Sequence, residues 1–165
     1  MKILKLVVAC AALVGLTACS GSKFKSYDGP EVTRVVVDKS DRRLHLLTDD
    51  KVLKSYSVGL GFAPEGHKQS FGDGRTPEGH YVIDRRNPNS RFHLSLGISY
   101  PNAADIARAR AQGDDPGGDI FIHGESREAW GKGPDWTAGC ISVKNREIET
   151  IYAMVRNGTP ITLMP

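Results

Sequence analysis

Apolar residues along this chain recur at every second position in short runs, and this alternation predicts β-strands. In residues 91–96, for example, Phe92, Leu94 and Leu96 share one face, so His93 is expected to face outward. Runs of this kind, rich in β-branched or aromatic residues, predict eight strands at residues 32–38, 43–48, 52–58, 81–84, 91–96, 119–123, 139–143 and 160–164.

Two segments depart from the alternation. Residues 59–79 contain six glycines and two prolines, which rule out regular structure over most of the stretch. A loop of this length in a compact domain is usually functional or mobile. Residues 103–112 predict a short helix, which Asn102 would cap at its start and Gly113 would end.

A second helix is predicted at residues 145–156, with Asn145 as its cap and Gly158 just after its end. Its apolar residues recur at helical spacing and are Ile148, Ile151, Tyr152 and Val155. Eight strands against two helices, with no alternation of strand and helix, predict a mainly β fold with one or two packed helices.

The N-terminus has the pattern of an export signal. Lys2 and Lys5 precede an apolar run at residues 6–16 that is far too short to span a bilayer. The run ends in Leu-Thr-Ala before Cys19, which resembles a bacterial lipobox and implies cleavage and lipidation at that cysteine. Secretion with cleavage at another position is the alternative. The chain is thus predicted to contain a lipoprotein signal peptide, a tether and one domain, at residues 1–18, 19–31 and 32–165.

Charge and cysteine content narrow the function further. The formal charge of +3 falls to +1 once Lys2 and Lys5 are removed with the signal, and no long basic run remains. Nucleic-acid binding therefore has no support. Cys10 lies in the signal and Cys19 would carry lipid, which leaves Cys140 as a lone thiol with no disulfide partner.

Cys140 and His123 are the candidate catalytic pair. Each lies beside a glycine at the edge of an apolar run, 17 positions apart. A cysteine attacks as its thiolate, and an imidazole close by is expected to lower the thiol pKa. Rapid alkylation of Cys140 at pH 6.5 is the corresponding expectation. A zinc site would need a third ligand, and the chain has no C-x-x-C or H-x-x-x-H pattern, so neither a metal nor a cofactor is expected.

Three segments together resemble the L,D-transpeptidase catalytic domain of the YkuD type, in its short exported Gram-negative form. They are residues 72–79 (GDGRTPEG), 120–124 (IFIHG) and 137–141 (TAGCI), and residues 96–105 (LGISYPNAAD) add to the likeness. The resemblance extends over residues 32–165 and implies a YkuD-like β-sandwich or open barrel.

The resemblance also implies a role for each matching residue. Cys140 would be the nucleophile and His123 the group that takes its proton, while the Gly124 carbonyl holds the other imidazole nitrogen. The backbone amides of Gly139 and Cys140 would form the oxyanion hole. Residues expected to contact substrate are Arg75, Thr137 and Trp136, although Arg75 could equally be a solvated loop charge and Trp136 a core residue.

Two positions depart from the common family pattern. Many members carry His where this chain has Ala138, and Arg or Asn where it has Ser142. Such side chains can bind an acceptor, so their loss leaves two reactions open on peptidoglycan stem peptides. One is L,D-transpeptidation at diaminopimelate in cell-wall remodelling. The other is hydrolysis of a diaminopimelate-linked amide, including the link between peptidoglycan and a lipoprotein.

A lipid-anchored module that binds peptidoglycan without turnover is a third hypothesis, which the pairing of His123 with Cys140 disfavours because binding needs no thiol. Ser20 follows Cys19, where the absence of Asp resembles lipoproteins sorted to the outer membrane. We therefore expect a periplasmic monomer, anchored by lipid in the inner leaflet of that membrane.

Overall fold

One sheet of eight strands carries two helices in the computed structural model, which describes residues 21–126 and 133–165. The strands are β1 (Arg34–Asp38), β2 (Arg43–Thr48), β3 (Lys51–Ser57), β4 (Gly79–Asn87), β5 (Ser95–Ile98), β6 (Phe121–His123), β7 (Ile141–Ser142) and β8 (Pro160–Met164). The helices are α1 (Ala103–Ala111) and α2 (Asn145–Met154). The predicted mainly β fold with two helices is confirmed.

The strands lie in the order β3-β2-β1-β8-β4-β5-β6-β7, and the sheet curls into a half-barrel. Most neighbours are antiparallel, but β1 pairs in parallel with β8 and β6 in parallel with β7. Helix α2 packs on β5 and β6. It buries Ile148, Ile151 and Met154 in the core that the strands share.

The connection between β4 and β5 differs from the prediction. The fifth strand begins at Ser95, so most of residues 91–96 form an irregular turn instead of a strand. His93 has a left-handed φ of 74°, which breaks the alternation on which its outward orientation was predicted. Its ring is partly buried, with Nε2 2.9 Å from a carboxylate oxygen of Glu149.

The capping of α1 agrees with the prediction. The Asn102 side chain accepts hydrogen bonds from the amides of Ala104 (2.9 Å) and Asp105 (3.1 Å), and the Asp105 carboxylate accepts the Asn102 amide at 3.0 Å. This reciprocal arrangement satisfies amides that the first helical turn leaves without partners. Gly113 follows the helix with a φ of 74°, as a residue in this position requires.

Both predicted ends of α2 are wrong. Asn145 is the first helical residue, and its side chain accepts the amide of Glu125 at 2.9 Å instead of capping the helix. The helix ends at Met154, four residues before Gly158, whose amide donates to the Ile83 carbonyl at 2.7 Å. Gly158 lies in a turn with a φ of 89°, and this left-handed conformation, not the helix end, explains the glycine.

The predicted signal peptide and the lipidation site at Cys19 lie outside the described residues. Residues 21–30, within the predicted tether, contain no helix or strand but contact the domain through several side chains. Neither of the helices described in this chain has the length and apolar character of a membrane span.

Candidate active site

Pairing between β6 and β7 brings the two candidate catalytic residues together. The strands run parallel, with Ile122 opposite Ile141 and His123 opposite Ser142. Cys140 directly precedes β7, two positions from Ser142, so an extended chain turns its side chain to the same face as His123. Both side chains line a cavity of about 520 Å³. Strand pairing in the sheet thus brings together two residues that are 17 positions apart in the sequence.

The His123 imidazole is oriented by its own neighbour in the chain. Its Nδ1 lies 2.7 Å from the Gly124 carbonyl oxygen, as the resemblance implies, and the ring is buried. A carbonyl oxygen only accepts, so Nδ1 carries the hydrogen and the lone pair is on Nε2. The imidazole is therefore held in the tautomer that a general base requires.

Gly124 is the residue type that this contact requires. A Cβ at this position would lie 2.5 Å from the Asn145 side-chain oxygen and 2.8 Å from the Phe92 carbonyl oxygen, closer than real Cβ contacts. Its amide also donates to the Phe92 carbonyl at 3.0 Å. Close packing against the Asn145 side chain and the Phe92 backbone thus fixes the carbonyl that orients His123.

Two aromatic rings enclose the imidazole. Phe92 stacks on His123 with ring centroids 4.4 Å apart and planes inclined by 25°. Trp136 meets the imidazole edge-on at 5.7 Å. Burial lowers the pKa of His123, and its hydrogen bond to Gly124 opposes the shift only in part. The imidazole is therefore neutral at neutral pH. The sequence prediction placed Phe92 on a strand and so missed its role, while Trp136 packs beside the base.

Cys140 is a free thiol that is partly exposed. Its Sγ donates to the Asp119 carbonyl oxygen at 3.5 Å. Burial raises the thiol pKa, although a backbone hydrogen bond from Phe121 acts in the opposite direction, and the negative charge of Asp119 raises it further. The expectation that the neighbouring imidazole lowers this pKa is wrong for the free protein. We now expect Cys140 to be alkylated slowly at pH 6.5.

The Thr137 side chain stabilises the turn that precedes Cys140. Its buried hydroxyl contacts the carbonyl oxygens of Leu60 at 3.0 Å and Cys140 at 2.6 Å, and it lies 3.2 Å from the Gly139 amide. The side chain thus shapes the turn, where the sequence predicted a substrate contact. The Gly139 amide, predicted as an oxyanion donor, is directed toward this hydroxyl at the long end of hydrogen-bond distance.

The glycine-rich loop, residues 59–79, packs directly on this turn. Gly59 and Ser142 exchange backbone hydrogen bonds of 2.9 and 2.8 Å. Gly139 has a φ of 129°, and a Cβ there would lie 2.7 Å from the Arg75 carbonyl oxygen. Arg75 is therefore brought to the catalytic turn through its backbone, and its side chain is half-buried. The glycines allow loop and turn to approach this closely.

Cys140 also lines a second cavity of about 230 Å³. Phe71 and Lys68 from the glycine-rich loop line it together with Ala138. Lys68 is buried and forms an ion pair with Asp73 at 2.8 Å. Asp73 of the 72–79 motif thus provides the charge partner for this buried lysine. Cys140 therefore lines both cavities. Among the described residues, no group of three or more His, Cys, Asp or Glu side chains is arranged to hold a metal.

Comparison with known proteins places these observations in a family. The family model described as the YkuD L,D-transpeptidase catalytic domain matches residues 32–163. A protein of Escherichia coli strain K12 with the provisional name L,D-transpeptidase YafK is 29% identical over 91% of this chain. The alignment covers 60% of that protein, so this chain spans less than two thirds of its relative's length.

Solved structures agree on the fold. The helical cell shape determining protein Pgp2 from Campylobacter jejuni superposes with a TM-score of 0.61 and 26% identity, over 84% of this chain and 48% of that one. An L,D-transpeptidase from Mycobacterium smegmatis superposes with a TM-score of 0.55 at 16% identity, over 81% and 59% of the two chains. At this low identity, the similarity to the Mycobacterium smegmatis protein shows a shared fold only.

Proposed function

Because this chain belongs to the L,D-transpeptidase catalytic domain family, we propose that it is a cysteine acyltransferase acting on peptidoglycan stem peptides in the cell wall. One observation carries the proposal. The Nδ1–Gly124 contact places the lone pair of His123 on Nε2, and His123 lines the same cavity as Cys140. A nucleophile and an oriented base on one cavity are the parts that acyl transfer needs.

The first half-reaction forms a thioester. Cys140 Sγ bonds to the carbonyl carbon of an amide at diaminopimelate while the thiol proton passes to His123 Nε2. The C–N bond then breaks, and Nε2 returns the proton to the leaving amine. In the second half-reaction, an amine of another stem or a water molecule loses a proton to Nε2 and attacks the thioester. The proton finally returns to Sγ.

The protonation states fit a reaction that starts from a neutral pair. Burial raises the pKa of Cys140 and lowers that of His123, so both effects oppose a thiolate–imidazolium pair before substrate binds. The proton therefore moves as the carbonyl is attacked. The negative charge then develops on the carbonyl oxygen, for which the Cys140 amide is the donor that the family resemblance implies. The Gly139 amide can join it by leaving the 3.2 Å contact with Thr137.

Two cavities lined by Cys140 support a reaction with a donor and an acceptor, but two of the described positions beside the thiol offer the acceptor little. Ala138 is exposed on the wall of the smaller cavity, and Ser142 is buried beneath Gly59. Neither offers the charged or ring nitrogen donors that His and Arg would supply. Water therefore competes for the thioester, and hydrolysis is part of the proposed function.

The product ratio tests this proposal. A donor muropeptide with excess amine acceptor should give a substantial share of hydrolysed stem beside cross-linked product, measured by mass spectrometry. Ala138→His should shift the ratio toward cross-links, since about 1.4 kcal/mol of added acceptor stabilisation changes it tenfold. Ala107→His, on the exposed face of α1, is the matched control and should leave the ratio unchanged. Exclusive formation of dimers by the wild type would contradict the hydrolytic component.

We further propose that Cys19 carries lipid and anchors the protein in the inner leaflet of the outer membrane. Several acyl chains, each contributing about 0.8 kcal/mol per buried CH₂, make such an anchor effectively permanent. Cys19→Ala should therefore release the protein from the membrane fraction on cell fractionation. Cys10→Ala, within the predicted signal, is the control and should remain membrane-bound. A Cys19→Ala protein that stays wholly in the membrane fraction would refute the anchor.

A further inference from the structure

The segment of residues 21–30, expected from sequence to be a tether, is fastened to the loop beside the active site. The Lys23 ammonium donates to the carbonyl oxygens of Pro88 at 2.6 Å and His93 at 3.1 Å. These two carbonyls belong to opposite ends of the turn between β4 and β5. One cation thus closes that turn, residues 88–93, with hydrogen bonds strengthened by its charge.

A second lysine of the same segment fastens it to α2. The Lys25 ammonium lies 3.2 Å from a carboxylate oxygen of Glu149 and 3.1 Å from the Arg146 carbonyl. The other carboxylate oxygen of Glu149 is 2.9 Å from His93 Nε2, so this carboxylate joins the segment to the same turn. The ring of Tyr27 packs against the hydrophobic core.

The turn that Lys23 closes carries the residue that covers the base. Phe92 stacks on the His123 ring at 4.4 Å, and its carbonyl accepts the Gly124 amide at 3.0 Å. The first contact buries the imidazole, and the second positions the carbonyl that orients it. His93, next in the chain, has a left-handed φ of 74°, which a residue with a side chain adopts only when its surroundings hold it there.

We propose that Lys23 is a positioning residue for the catalytic base, and that residues 21–27 are part of the catalytic domain instead of a passive tether. Lys23 acts through the turn at residues 88–93: by closing it, the ammonium keeps Phe92 stacked on His123. The imidazole then stays desolvated and neutral, in the state that accepts the thiol proton. The inference rests on the proposed function for its effect on turnover, but not for its effect on His123 itself.

The test compares Lys23→Met with Lys23→Arg in the full-length protein. Methionine keeps the apolar stem and removes the cation, so Phe92 is released and His123 becomes more solvated. Since burial lowers the pKa of His123, its pKa should rise toward the ordinary value. A histidine with the ordinary pKa of about 6.5 is about three-quarters protonated at pH 6. We therefore expect kcat on muropeptides to fall by up to about fourfold at pH 6 and less at pH 8, with the acid limb of the pH–rate profile moved to higher pH. Arginine can donate to the same carbonyls and should restore the wild-type limb.

Two further measurements make the outcome decisive. NMR titration of the His123 ring, assigned by comparison with His123→Gln, reports its pKa without any turnover. Lys54→Met, on an exposed position of β3, is the matched control and should change neither the profile nor the titration. A Lys23→Met protein with an unshifted His123 titration would overturn the proposal, even if its kcat or melting temperature fell. Absence of turnover in the wild type would instead refute the proposed function and leave the titration as the test of Lys23.

Discussion

Cys140→Ser is expected to abolish turnover of muropeptides, with a loss of about 10⁴-fold or more, as for other nucleophiles that act as a unit with their base. The physical reason is the pKa of the attacking group. An alcohol is far less acidic than a thiol, and the pKa of His123 is lowered by burial, so proton transfer to this imidazole is much less favourable from serine than from cysteine. Intact-mass spectrometry should detect a thioester adduct on the wild type and none on the variant.

The substitution tests chemistry and not folding, because a hydroxyl replaces a slightly larger thiol at a partly exposed position. Circular dichroism and the melting temperature should therefore match those of the wild type. A folded Cys140→Ser protein that keeps wild-type turnover would show that the nucleophile lies elsewhere.

His123→Gln is expected to lower kcat by about 10²–10⁴-fold, the usual contribution of a positioned general base. Glutamine keeps the polar character of the site but cannot accept a proton at neutral pH. In the wild type, activity is lost when His123 is protonated. Because burial depresses the pKa of His123, that loss should begin below the ordinary histidine value of about 6.5. The acid limb of kcat/KM against pH therefore lies at lower pH than for an exposed histidine.

The pH dependence of kcat/KM for the variant checks this assignment. His123→Gln should lack the acid limb that protonation of His123 causes in the wild type. His80→Gln, an exposed position on β4, is the control and should keep both rate and limb. An acid limb above pH 7 in the wild type would mean that a charged neighbour, and not burial, governs the imidazole.

Local chemistry accounts for the parts of the fold that the sequence predicted well. Strand β8 has the predicted bounds of 160–164, and α1 is capped by Asn102 at its start and followed by Gly113, as expected. Alternation and capping depend on residues within a few positions of each other, so they can be recognised without knowing what the segment packs against.

The same rules failed where distant contacts decide the local structure. Asn145 has the side chain of a helix cap, but Glu125 offers its amide and the helix begins one residue earlier than that role requires. Gly158 was predicted to follow the helix end, yet it lies in a turn beyond the helix and its amide donates to Ile83 on β4. Residues 91–94 form a turn despite their apolar alternation, because Lys23 and Glu149, which are distant in the sequence, both contact His93 in this turn.

For the active site, the sequence by itself determined which groups are available. It supplies one thiol outside the predicted signal and lipid anchor, a histidine beside a glycine, and motifs that resemble an acyltransferase family. Only the tertiary structure decided where those groups lie relative to each other and which protonation states they have. Parallel pairing of β6 and β7 brings His123 and Cys140 to one cavity, and Phe92 covers the base from a turn that Lys23 closes. Burial then makes both partners neutral, the reverse of the sequence expectation for the thiol, because desolvation depends on everything packed around a group and not on its neighbours along the chain.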